Sequence, residues 1–127
     1  MPFTHTIRRV YSTNAGVVID NVETVTGTQQ GVDIDTTLAP GAQVEFDVMV
    51  VVDRVQSLML FCDQPAEVLT NDPAAPSSTI TLKGNIPITW TLNSFWPLPL
   101  HGGTVNKIFV TNNGPVEGHL KIRMLAN

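Results

Sequence analysis

Cys62 is the only cysteine, so no disulfide can close within the chain. It ends the most apolar stretch of the sequence, where a small buried thiol packs rather than reacts. Charge is also scarce: 14% of the 127 residues are Asp, Glu, Lys or Arg, against roughly a quarter in an average domain. With a net charge of −4, a broad electrostatic grip on nucleic acid is not expected. No apolar run approaches the ~18–20 residues that span a bilayer, so no membrane partner is expected. The opening MPFTHTIRRV has no apolar h-region, so no secretory signal is expected either. No helical period persists for ~10 residues.

Motifs that carry chemistry are missing too. There is no GxSxG, no CxxC and no glycine-rich phosphate loop. The three histidines, His5, His101 and His119, stand at no ligand spacing to one another or to a carboxylate. Asp33 with Asp35, Glu45 with Asp47, and Asp20 with Glu23 read as the solvated faces of half-buried strands, not as calcium sites or carboxylate dyads. The expectation is a protein that is not an enzyme, with no catalytic residues, no metal and no cofactor.

What is present is β pattern. In Val44 to Cys62, VEFDVMVVVDRVQSLMLFC, Val44, Phe46, Val48, Val50 and Val52 share one face. The other face begins polar at Glu45 and Asp47 and turns apolar at Met49 and Val51. A polar break at Asp53-Arg54 leads into a second strand, with Val55, Met59 and Phe61 on one side and Leu58, Leu60 and Cys62 on the other. Strands apolar on both faces are covered on both. Met49 and Val51 are therefore expected beneath another sheet or another subunit, and the remaining strands are expected around this pair.

The other segments alternate more loosely. Residues 3–11 have no clean apolar face and read as an edge strand or an arm. Strands are expected at Val17–Thr26, Val32–Leu38, Ala66–Thr70, Thr79–Lys83, Ile86–Leu92, Val105–Thr111 and Gly118–Leu125. Pro87 cannot donate to a ladder, so its strand lies at an edge or begins irregularly. Asn71–Ser78, with two prolines, is a surface loop. The count, about nine to ten short strands with turn signals every eight to twelve residues, predicts an all-β fold. The expected architecture is one antiparallel β-sandwich domain over 1–127, jelly-roll-like, with an immunoglobulin-like sandwich as the alternative. Residues 1–12 form its N-terminal arm or edge strand.

Trp90 alternates with Ile86 and Ile88 and reads as core. Phe95-Trp96-Pro97-Leu98-Pro99-Leu100 is too apolar to lie free in water, and its prolines deny it a ladder. It either plugs the end of the sandwich or contacts another chain. The candidate contact residues are Phe3, His5, Ile7, Arg8, Arg9, Phe95, Trp96, Leu98 and Leu100.

From Ser57 to Asn127, SLMLFCDQPAEVLTND, a Pro/Ser loop, TITLKGNIPITW and the closing VNKIFVTNNGPVEGHLKIRML resemble small bacteriophage structural proteins. The resemblance implies a virion β-sandwich, made in the host cytoplasm, that decorates the capsid exterior as a cement protein. It implies the major capsid protein as partner and a homo-oligomer, a trimer being favoured. Another virion component, in the tail, fibre or minor head, is the alternative, followed by a carbohydrate-binding module stacking sugars on exposed tryptophan.

Overall fold

The computed structural model describes residues 2–127. Residue 1, counted in the expected arm 1–12, lies outside them. The described residues form ten strands: β1 (Phe3–Thr13), β2 (Gly16–Gly27), β3 (Gln29–Leu38), β4 (Gln43–Val51), β5 (Val55–Cys62), β6 (Pro65–Thr70), β7 (Thr79–Lys83), β8 (Ile88–Thr91), β9 (Thr104–Asn112) and β10 (Gly118–Ala126). No helix among them is long and apolar enough to cross a membrane.

Eight strands make an antiparallel sandwich of two four-stranded sheets, ordered β3-β10-β5-β8 and β4-β9-β6-β7. The pairs are nested: β3 with β10, β4 with β9, β5 with β8, β6 with β7. The second half of the sandwich thus runs back along the first, and the doubled ribbon rolls across both sheets. This is the jelly-roll order of an all-β sandwich. The immunoglobulin-like alternative is set aside, because nearly every connection here crosses between sheets and only β6–β7 is a hairpin within one.

The alternation in the sequence decides what faces inward. Leu58, Leu60 and Cys62 of β5 and Leu120, Ile122 and Met124 of β10 meet Val105, Ile108 and Val110 of β9, all almost fully buried. Ile88, Trp90 and Leu98 pack at the margin of this core. β8 starts immediately after Pro87 and lies at a sheet edge, as the missing amide requires. At the β9–β10 turn, buried Asn112 donates from Nδ2 to the carbonyls of Leu38 (3.0 Å) and Val116 (2.9 Å), while its Oδ1 accepts the Gly114 amide (2.8 Å). A Cβ on Gly114 would stand 2.9 Å from Gln64 Cβ, so a side chain there would have to displace Gln64.

Two expectations about Val44–Cys62 are corrected. The polar break is a 3-10 turn, Val52–Arg54, that moves the chain from one sheet to the other. β4 is consequently an edge strand and β5 an inner one, so they form no central pair. Met49 is 68% and Val51 39% exposed. They lie on the outer face of an edge strand, beside a register shift between Asp47 and Val50; among the described residues no sheet covers them, which overturns the first of the two expected covers and leaves only another subunit. β5 is covered on its outer face only in part: Ser57 is buried beneath the hairpin, bonded to His5, whereas Met59 and Phe61 are half-buried.

Candidate functional site

β1 and β2 form a separate two-stranded hairpin, which is neither an edge strand of the sandwich nor a single-stranded arm. Among the described residues no main-chain hydrogen bond joins it to either sheet. Its register sets His5 opposite Val25, Ile7 opposite Glu23, Arg9 opposite Asn21 and Tyr11 opposite Ile19. Opposed residues share a face, so this face is the one turned toward the sandwich. Thr4, Thr6, Thr24 and Thr26 stud the other face, exposed.

The root of the hairpin is held by packing and polar contacts. Val25 is 4% exposed. A Cβ on Gly27 would stand 2.7 Å from the Ala126 carbonyl oxygen and 2.8 Å from Leu125 Cγ, so only glycine permits the approach to β10. His5 Nδ1 and Ser57 Oγ are hydrogen-bonded at 2.6 Å. Burial first, and then the charge of Arg123, lower the His5 pKa below its ordinary value, while Asp33 opposes them.

Glu23 is the polar anchor. Its Oε1 accepts from Arg9 Nη1 at 2.9 Å. Its Oε2 accepts from the Thr91 hydroxyl and from Asn93 Nδ2, both at 2.9 Å. The Asn93 amide, then Arg9 and Thr91, hold the carboxyl below the usual range against the opposing effect of burial. Read from the sequence as a solvated strand residue, Glu23 instead ties the hairpin to the loop after β8. Its partners lie 68 and 70 residues away, and no local pattern marks them. Arg8 makes two bonds to Asp20, 2.9 and 2.7 Å. Both side chains are well exposed, so this pair aligns the hairpin more than it stabilises it.

Beyond the root the hairpin stands clear of the sandwich. Val10, Tyr11, Val17, Val18, Ile19 and Val22 are each more than half exposed, on both faces. Val10 to Ile19 contains no charged residue.

Between β1 and the sheet lies a groove of about 600 Å³. Phe3 to Arg8 form one wall, and Met59, Thr89, Pro87, Gln30 and Arg123 line the rest. Arg123 is held by Asp33 at 2.8 Å and donates to the Ile34 carbonyl at 2.7 Å.

The structure brings Phe3, His5, Ile7 and Arg8 together at the groove, with Arg9 on the same hairpin. The second cluster divides. Phe95 is wholly exposed and Trp96 is 56% exposed, whereas Leu98 packs on the core margin and Leu100 is buried at 3%. Leu100, expected as a contact residue, is therefore a core plug, because the loop turns inward to close the sandwich end. Trp90 Nε1 donates to the Trp96 carbonyl at 2.9 Å, which holds the exposed part of the loop in place. His101 and His119 are exposed on a loop and on β10. Among the described residues no three His, Cys, Asp or Glu side chains gather at metal-binding distance. Cys62 is fully buried, and burial pushes its thiol pKa up, away from nucleophilic use. The surface offers a projecting apolar hairpin and a groove at its root. No family model matches the chain, and no curated protein matches it.

Proposed function

We propose that this chain is a non-enzymatic structural protein of a bacteriophage virion, a decoration protein that stabilises the capsid by binding between capsid subunits on its exterior. The observation that carries the reading is the free end of the hairpin: an apolar, two-faced ribbon, uncharged from Val10 to Ile19, on a hairpin fixed to the sandwich only at its root. Such an arm gains stability by lying on or between other chains, where apolar and main-chain groups can both be covered. The jelly-roll order supports it by fold-level analogy, since shells of many viruses are built from such domains. The resemblance of Ser57–Asn127 to small phage structural proteins supports it further. On this reading the partner is the major capsid protein, the protein is made in the host cytoplasm, and exposed Phe95 and Trp96 extend the contact surface. The exposed Met49 and Val51 offer a further patch for a neighbouring copy, the trimer being the favoured assembly.

The test is co-sedimentation of the purified protein with capsids that lack it, together with the protein profile of virions. Saturable binding, lost when residues 10–19 are replaced by a short turn, is the expected result. Virions without this chain, or capsids that never retain it, would overturn the proposal.

A further inference from the structure

Six consecutive residues of β1, Phe3 to Arg8, line the groove. A strand presenting a face would contribute alternate residues only. A continuous run means that its edge, with main-chain N–H and C=O groups, forms the wall. That edge has no partner among the described residues: β1 pairs only with β2, and no β2 residue lines the groove. The far wall and floor are Met59, Thr89 and Pro87, largely apolar, with Arg123 and Gln30.

We infer that the groove is a receptor for an extended peptide segment of a partner protein, which adds to the edge of β1 as a third strand. The occupant's chemistry follows from the two faces of the hairpin. A strand set beside β1 turns alternate side chains down beside His5 and Ile7, onto Met59, Thr89 and Pro87; these are apolar. The others point up beside Thr4, Thr6 and Arg8. The ionisable side chains lining the groove, His5, Arg8 and Arg123, are all basic in a chain of net charge −4. Arg123 is engaged with Asp33 and the Ile34 carbonyl. Arg8 gives Nε and Nη2 to Asp20, leaving Nη1 without a partner among the described residues. The upward positions thus favour a carboxylate near Arg8. The occupant is a segment of about six residues, apolar and acidic in alternation, bound by strand addition. The inference deepens the capsid reading and rests on it only for the source of the segment.

A fluorescein-labelled Val-Asp-Val-Asp-Val-Asp peptide, titrated by anisotropy, tests this without any capsid, so failure to bind capsids leaves the result independent. Saturable binding is expected, with the Val-Lys counterpart about tenfold weaker. N-methylation of one alternate set of peptide amides costs about tenfold and of the other set little, because only one set faces β1. Thr89→Trp, which fills the groove from a half-buried floor position, abolishes binding while the melting temperature stays within a few degrees. Arg8→Gln, at an exposed site, removes most of the preference for acid and keeps the fold. Absence of binding at about 1 mM, equal indifference to both methylated sets, or full binding by a folded Thr89→Trp protein would each overturn the inference.

Discussion

Replacing Glu23 by Ala should release the hairpin from the sandwich and leave the sandwich folded. The carboxylate receives three hydrogen bonds at 2.9 Å, from Arg9, Thr91 and Asn93. Hydrogen bonds to a charged group contribute about 1.5–3 kcal/mol each when sheltered. The Arg9 bond joins β1 to β2 within the hairpin, so it adds nothing to docking. Thr91 is fully buried, and its hydroxyl would lose its acceptor. At the low end of that range the Thr91 and Asn93 bonds together supply about 3 kcal/mol of docking free energy, or roughly a hundredfold more undocked hairpin. The sandwich should be indifferent, because the core cluster contains no β1 or β2 residue. Trypsin provides the readout through Arg8 and Arg9. An undocked two-stranded hairpin is marginal in water, so it opens, and cleavage follows the open population when reclosing is fast. Cleavage after Arg8 and Arg9 should rise about a hundredfold, with cleavage after Lys83 and Arg123 as the control for global unfolding. Glu23→Gln, which keeps one acceptor oxygen, should fall between. An increase below about threefold, or a sandwich that melts more than about 10 °C lower, would show that Glu23 is not the joint.

Acidification should loosen the same joint. The folded-state pKa of His5 is depressed, so its contribution to docking is complete above the ordinary value of 6.5 and erodes as pH falls below it toward the lowered one. Glu23, also depressed, adds a second loss below its ordinary carboxylate range. Hydrogen exchange of the Val25 amide, corrected for intrinsic rate, should rise between pH 7 and pH 5 in the native protein and stay flat in His5→Gln. Asn112→Ala strands two carbonyls and an amide at the buried β9–β10 turn. It should cost about 3 kcal/mol in urea unfolding with an unchanged m-value, and a loss under 1 kcal/mol would show that water replaces the amide. Met49→Lys, at a site 68% exposed, should change the stability of the free chain by no more than about 0.5 kcal/mol. A larger loss by thermal melt would mean that the chain itself covers Met49.

The strands and the inward face of each were legible because a side-chain period of two records which face is dry, whatever the strand pairs with. Val44 to Val52 and Leu58 to Cys62 turned their apolar faces inward as the alternation required. Pro87 delayed its strand, and Cys62 packed. The plug was half legible: the apolarity of residues 95–100 demanded burial, but only the path of the loop separates exposed Phe95 from buried Leu100. The outer face of β5 was legible only in part: Met59 and Phe61 are half-buried, and the buried residue there is polar Ser57.

The order of strands, the partners of Glu23 and the edge that walls the groove depend on contacts between residues far apart in sequence. Alternation is blind to these, since an apolar strand satisfies its pattern equally beside any of several neighbours. Sequence alone therefore determined that this is a β-sandwich with few charges, a lone buried thiol and no recognisable catalytic motif. The tertiary structure decided that the first two strands leave that sandwich as a hairpin. β1 and β2 are the longest strands and carry little that the core needs, so their mutual pairing outweighs any place in the two sheets.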